Sequence, residues 1–290
     1  MKPPRRRVHK MKAPLVSVLT PAYGAEDFLA ETIESVLGQS YTNIEYIIIE
    51  DCSPDGTWEI IEKYAKQDTR IKAFRNPQNL RIAGTRNRCV SLAAGTYVAW
   101  QDADDISLPE RIARQVERME AHPKVGICGT AYEMFNTSGP MRVRRFPQDD
   151  AALRKMIFKA SPVSQPTAMI RKSCLDEAGE YDGTYRNCED LDMTFRIGRQ
   201  HELANVDEVL VRYRVHDAST TFKDMNVMLK DTLAIRKKYN DGIEYRKSAG
   251  DHVACLATRA MSMLPAAWTV GLFDKLRPIF VKAESSRSGT

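Results

Sequence analysis

The chain reads as an α/β protein built on a mostly parallel sheet covered by helices. Three observations carry that reading. Short apolar runs of strand length alternate with segments whose apolar residues fall on one helical face. One run, Tyr46-Ile47-Ile48-Ile49, is apolar without interruption, as a strand buried on both faces requires. Acidic or polar clusters follow several runs directly, at the sheet edge where open α/β folds bind ligands.

Val16-Ser17-Val18-Leu19 predicts a first strand, ended by Pro21. Phe28, Leu29, Ile33, Val36 and Leu37 then keep helical spacing until Gly38. Tyr46 to Ile49 forms the second strand and runs into a dense turn signal, Glu50-Asp51-Cys52-Ser53-Pro54-Asp55-Gly56. A helix carries Trp58, Ile60, Ile61 and Tyr64, and Ile71-Lys72-Ala73-Phe74 is a short third strand. Ala83 to Ala94 is helical, with Gly95 as its left-handed C-terminal stop. Tyr97 to Trp100 is the fourth strand, and a helix beginning near Pro109 holds Ile112, Val116 and Met119. Val125-Gly126-Ile127-Cys128 closes the series, with right-handed crossovers throughout.

From about Thr130 the apolar runs shorten, which predicts loops and short strands building a second half-site. Beyond Thr221 the pattern is helical again, through Met225, Met228, Leu229, Leu233 and Ile235, then Val253, Leu256 and Ala260. The chain divides accordingly into a basic arm (residues 1–13), a first half (14–129), a second half (130–221) and a helical extension (222–290).

With 43% hydrophobic and 28% charged residues, the 290-residue chain has ordinary globular composition. Its net charge of +5 gathers unevenly, in Lys2, Arg5, Arg6, Arg7, Lys10 and Lys12. Such an arm is a solvated tail or touches an anionic surface. Elsewhere basic residues have acids nearby and form no stripe interleaved with aromatics, so no nucleic-acid partner is expected. Cys52, Cys89, Cys128, Cys174, Cys188 and Cys255 show no C-x-x-C pair. Zinc and disulfide frameworks are therefore disfavoured, and free thiols in a cytoplasmic protein are expected. No stretch has transmembrane length, and the basic start lacks a secretory apolar core. Leu264 to Lys282 mixes Trp268, Val270, Leu272, Phe273, Leu276 and Phe280 with Lys275, Arg277 and Lys282. It either packs on the domain or docks peripherally on the inner face of an anionic cytoplasmic membrane.

The chemistry concentrates where the strands end. Asp102, Asp104 and Asp105 crowd into four positions directly after Tyr97 to Trp100. Like charges so close repel unless a divalent cation or a hydrogen-bonded sugar neutralises them. The bland alternative is a solvated acidic turn before a helix. Thr20-Pro21-Ala22-Tyr23, Glu50-Asp51 with Asp55, and Asp102 to Asp105 should converge on one sheet edge. There Asp51 can accept from a nucleobase ring N–H, and Tyr23 can flank the base. Arg86-Asn87-Arg88 is a solvated helix face or, given Gly84, a point of close backbone approach. Glu189-Asp190 decorates a helix bearing Leu191, Phe195 and Ile197, or does chemistry; His216 is a satisfied loop residue or a ligand. His9, His122, His201 and His252 lack ligand spacing. Neither G-x-G-x-x-G nor G-x-x-x-x-G-K-[ST] occurs, which disfavours a dinucleotide dehydrogenase or a P-loop enzyme.

Together these pieces resemble the family 2 glycosyltransferases, which have the GT-A fold, a Rossmann-like, mostly parallel sheet flanked by helices. The resemblance covers Val16 to Tyr23, Glu50 to Gly56, Gly84-Thr85-Arg86-Asn87, and Asp102-Ala103-Asp104-Asp105 with Ile106 to Arg111, similar to that fold's DxD motif. It continues through Gly179-Glu180-Tyr181-Asp182 and Cys188-Glu189-Asp190-Leu191-Asp192, similar to the acceptor-side ED motif, into Tyr213-Arg214-Val215-His216. The resemblance implies a donor site of Thr20, Pro21, Tyr23, Asp51, Arg86, Asp102, Asp104 and Asp105 in the half 14–129, and an acceptor half over 130–221. It implies Mn²⁺ or Mg²⁺ held by Asp105 and Asp102 near His216, and Asp190 as general base. The implied reaction is inverting transfer from a nucleotide-diphosphate sugar, a UDP-sugar above others, to a glycan or lipid-linked glycan, as in lipopolysaccharide, capsule or O-antigen synthesis. A catalytically degenerate sugar-nucleotide-binding module is the alternative. The chain departs from the family pattern in Glu50 for Asp, Cys52 for Gly and Arg81 for Gly. Arg81 implies a rearranged loop or a side chain reaching the diphosphate. The processive-synthase motif Q-x-x-R-W is absent.

Overall fold

The structure, a computed structural model, describes residues 13–216 and 225–264. The basic arm up to Lys12 and the stretch Trp268 to Lys282 lie outside the described residues. The first half follows the expected alternation: β1 (Val16–Ala22), α1 (Leu29–Leu37), β2 (Ile44–Glu50), α2 (Thr57–Ala65), β3 (Ile71–Arg75), α3 (Arg81–Leu92) and β4 (Tyr97–Trp100). β1 lies between β2 and β4, parallel to both, and β3 is parallel to β2. Successive side chains of a strand face opposite ways, so the unbroken apolar run of β2 serves two cores. Tyr46 and Ile48 join one, under α1, α2 and α4 (Arg111–Ala121); Ile47 and Ile49 join the other, under α3.

The second half adds β5 (Ile106–Ser107), β6 (Val125–Asn136), β7 (Gly139–Arg144), α5 (Asp150–Met156), β8 (Met169–Arg171), α6 (Lys172–Ala178), α7 (Glu189–Gly198) and β9 (Glu202–Arg214). The strand order is β3-β2-β1-β4-β8-β6-β9-β5, with β7 beside β6. β8 runs antiparallel to both β4 and β6, and β9 runs parallel to β6 but antiparallel to β5. α8 (Met225–Lys238) and α9 (Ala249–Ser262) complete the described residues. α8 packs on α7, where Phe195 stacks on Tyr239 at 4.7 Å and meets Tyr245 edge-on.

Several expectations need correcting. β1 continues through Pro21 to Ala22. Leu19 O accepts from Gln101 N toward β4, and Ala22 O accepts from Asp51 N toward β2. Pro21 therefore faces the β4 side, where pairing has already ended at Leu19–Trp100, and its missing N–H costs no ladder bond. Gly95 is not a left-handed helix stop: α3 ends at Leu92, and Gly95 is absent from the positive-φ residues. A Cβ there would lie 2.6 Å from Ser17 N and 2.8 Å from Leu15 O, so close approach to β1 is what demands glycine. The region after Thr130 holds long strands, since β6 and β9 have 12 and 13 residues. β6 also crosses residue 129 without a break, so the two halves share one sheet. Four cysteines are buried, Cys255 is partly buried and Cys52 is exposed, all as free thiols.

Candidate active site

The acidic turn between β4 and β5 is built on buried polar groups. Gln101 Nε2 donates to Asp105 O at 2.9 Å and to Asp102 O at 3.1 Å. Arg111, at the start of α4, is fully buried and donates to Trp100 O (2.6 Å), Gln101 Oε1 (3.0 Å) and Ser107 Oγ (2.8 Å). Burial lowers its pKa to about 10, and the fields of Asp105 and Asp102 work the other way. From α1, Thr32 Oγ1 donates to Ala103 O and Asp105 O, each at 2.9 Å.

The end of β9 closes the turn from the other side. Arg214 N donates to Asp105 Oδ1 at 2.8 Å, and Arg214 Nε donates to Asp104 O at 2.8 Å. Its guanidinium also pairs with Glu31 of α1. His216 Nε2 lies 2.8 Å from Asp104 Oδ2, with its ring against Phe28. The turn thus brings Asp104 to His216 and Asp105 to the Arg214 backbone, with Asp102 beside them in sequence.

These carboxylates are unevenly satisfied. Asp105 Oδ2 is buried without a hydrogen-bond partner. Burial, then Asp104 and Asp102, raises the Asp105 pKa well above the carboxylate range. Asp102 is pushed up to about 6, chiefly by burial, with Arg86 opposing and Asp104 and Asp190 adding. Groups so strained fit a cation. Among the described residues no three His, Cys, Asp or Glu side chains could hold an ion by themselves. Asp105 and Asp102 can supply only part of a coordination shell, leaving the remainder to ligands such as phosphate oxygens.

The neighbouring edge carries Thr20, Pro21, Tyr23 and Asp51. Thr20 is enclosed: its hydroxyl donates to Gln101 O at 2.8 Å and shares a hydrogen bond with Tyr46 OH at 3.0 Å. Pro21 is half-buried and Tyr23 is exposed, not a core-edge aromatic. Asp51 is buried, and its Oδ1 accepts from Asn76 Nδ2 (2.6 Å) and Leu80 N (2.8 Å). Cys52 and Arg81 flank this group, and both hold φ at 61°, alone among described non-glycine residues. The two departures from the family's glycines therefore keep a glycine-like backbone. Left-handed backbone at a non-glycine residue carries about 1 kcal/mol of strain at each position.

Arg86 joins this sheet edge to α7. It is only 5% exposed, not a solvated face, and its guanidinium lies over the rings of Trp100 (5.4 Å) and Tyr181 (5.8 Å). Nη1 bonds Glu189 Oε1, while Nη2 lies 3.8 Å from Asp102 Oδ1. Burial works against its charge, but Glu189 and Asp102 outweigh that and raise its pKa. Glu189 is 3% exposed and pushed up to about 7, by burial first, with Arg86 opposing and Asp190 adding. A solvated helix decoration would not be buried on a guanidinium. Asp190 keeps Oδ1 on Leu191 N at 2.8 Å; burial raises its pKa against the pull of Arg86. One residue on, Asn87 trades two hydrogen bonds with the Tyr181 backbone, at 2.7 and 3.0 Å, fastening α3 to the loop before α7.

The sequence assigned no individual role to Glu189 or Arg214, whose partners are remote in sequence, nor to Arg111, whose partners lie within one turn and helix of it. A signal was present for Arg111: Gln115 follows it at helical spacing, and both point inward.

A mixed sheet with a carboxylate-rich turn after its fourth strand defines the GT-A glycosyltransferase class. The chain matches the family model described as Glycosyl transferase family 2 over residues 17–179. It is 36% identical over 214 residues to EpsE of Bacillus subtilis (strain 168), a protein assigned to the glycosyltransferases, covering 72% of this chain and 76% of that one. It is 42% identical over 106 residues to WfaP of Escherichia coli, a UDP-Glc:alpha-D-GlcNAc-diphosphoundecaprenol beta-1,3-glucosyltransferase, covering 37% and 41%. The mannosyltransferase PcManGT from Pyrobaculum calidifontis, in complex with GDP-Man and Mn²⁺, superposes with a TM-score of 0.64 at 16% identity, covering 96% and 77%. The chain belongs to glycosyl transferase family 2.

Proposed function

We propose that the protein transfers a sugar, with inversion, from a UDP-sugar to a hydroxyl of a glycan or lipid-linked glycan. The observation that carries this is Arg86, which ties the acceptor-side Glu189-Asp190 pair to the donor-side Asp102 turn. Asp51 and Tyr23 would take the base, and Asp104 the ribose and sugar. Asp105 and Asp102 would hold Mn²⁺ or Mg²⁺ against the diphosphate, where the ion supplies Lewis-acid neutralisation of the leaving group. His216 would hold Asp104 in place. Asp190 removes the proton from the attacking hydroxyl as its oxygen bonds the anomeric carbon and the bond to the diphosphate breaks. One base opposite the leaving group serves a single displacement, which inverts the centre. Its raised pKa suits a proton acceptor.

The named relative supports a lipid-linked acceptor, since WfaP acts on a diphosphoundecaprenol-linked sugar. A degenerate binding module would have an acceptor carboxylate remote from the donor edge. Here the charge of Asp190 is felt at Asp102, which favours turnover. Asp190→Ala tests the assignment. It should abolish transfer and leave donor affinity within about threefold, under 1 kcal/mol. Transfer at a near-normal rate would remove Asp190 as the base.

A further inference from the structure

A row of alternating cations and rings leads into the acidic turn. Arg212, Arg214 and His216 stand at alternate positions along β9 and just past its end. The pairing with β6 runs on to Val215 N, which donates to Phe135 O at 2.8 Å, so the chain stays extended there. Alternate side chains of an extended chain leave it on one side. Arg212 lies over the Phe135 ring at 4.2 Å, and Arg214 lies over the same ring at 4.6 Å. Arg214 also lies over Phe28 at 4.9 Å, and the His216 ring meets Phe28 at 4.6 Å, tilted by 47°.

Phe28 ends this row and is placed unlike the other large apolar residues around it. It stands directly before α1, with its N–H donating to Ala25 O at 3.0 Å. Leu29 beside it enters the core under α1, whereas Phe28 is half-buried and belongs to none of the apolar clusters of the described residues. Its ring instead meets a guanidinium and an imidazole, the two groups that the end of β9 sends to the turn. Arg214 has other anchors, in Glu31 and in the backbone of the turn. His216 reaches the turn through one hydrogen bond, to Asp104 Oδ2, and the two side chains are 21 and 31% exposed. Water competes for a hydrogen bond so open, and the ring beside it restricts where the imidazole can go.

We propose that Phe28 is a positioning residue for the donor: its ring holds the His216 imidazole on Asp104 and so fixes where the Asp104 carboxylate points. A group that meets substrate needs its geometry set in advance by neighbours that are themselves fixed. The ring is fixed because α1 begins at the next residue and holds the turn through Thr32 as well. The proposal rests on the reading of the acidic turn as the donor site.

The first test uses the free chain, without donor or metal. The His216 ring signals in proton–carbon NMR, assigned by their loss in His216→Ala, should be displaced by the Phe28 ring current. In Phe28→Leu, which stays apolar but has no ring, they should return to the values of an unstacked histidine. The second test is calorimetry of UDP with Mn²⁺. Phe28→Leu should weaken UDP by about three- to tenfold, the effect of one aromatic contact. Phe28→Tyr should restore the parent affinity. In a His216→Ala background the same Phe28→Leu change should cost less than about twofold, because the ring acts through the imidazole. Phe28 lies outside the cores, so circular dichroism should show every variant folded at the assay temperature. An unmoved His216 signal, parent UDP affinity in Phe28→Leu, or full additivity with His216→Ala overturns the proposal. Asp104→Asn tells the two readings apart. Parent UDP affinity in that variant overturns the donor reading and this role together. Weakened UDP binding there, alongside a failed Phe28 test, overturns the role of Phe28 alone.

Discussion

Arg86→Met removes the cation that Glu189 and Asp102 share and keeps much of its volume between Trp100 and Tyr181. Breaking a buried ion pair by deleting one partner costs about 3–5 kcal/mol, because the other charge stays buried. Loss of the two ring contacts adds about 0.5–1 kcal/mol each. The pH dependence fixes the cause. Glu189 titrates at about 7 in the folded chain and near 4.3 in an unfolded one. A carboxyl whose folded pKa is raised loses stability as pH climbs from the unfolded value through the folded one. Without Arg86 the folded pKa rises further, so the loss deepens with pH. Urea unfolding should show a small cost near about pH 5, with Glu189 protonated, and the full cost near about pH 8. Combining Arg86→Met with Glu189→Gln should recover part of the loss, because the stranded carboxylate is gone. A cost below about 1 kcal/mol at both pH values, or strict additivity in the double variant, would refute the reasoning.

Asp105→Ala removes the buried unpartnered oxygen of the turn; calorimetry should show metal-dependent binding of a UDP-sugar lost, while GDP-, dTDP- and CDP-sugars bind neither protein. Metal-dependent binding that persists in Asp105→Ala would move the ion elsewhere. Arg81→Gly and Cys52→Gly relieve positive φ at each position; each should raise stability by up to about 1 kcal/mol where the gain exceeds glycine's added unfolded-state entropy. A loss at both positions in chemical denaturation would mean that the strain is absent.

The first half was legible because β1, β2 and β4 are buried on both faces. Runs such as Tyr46 to Ile49 carry their assignment without tertiary context. β6 and β9 were not legible as long strands. Glu133, Asp207, Glu208 and Arg212 interrupt their apolar pattern, and Arg212 pairs across strands with Glu133, which no local window can see. The acidic turn stands out through its own carboxylates and the motifs around it. Glu189 could not, because its meaning lies in Arg86, 103 residues earlier. Gly95 was placed correctly as a special position but for the wrong reason, since its neighbours are Ser17 of β1, 78 residues earlier, and Leu15 just before that strand.

Arg214 bonds Asp105 and Asp104 from more than a hundred residues away, and β5 has β9 as its sheet neighbour. The half 14–129 is therefore not a self-sufficient cassette. A chimera that grafts residues 14–129 onto the second half of a relative would strip the acidic turn of a backbone donor and leave β5 without its ladder. Moving the acidic turn intact between relatives requires that Glu202–Arg214 travel with residues 14–129, although the two are far apart in the gene.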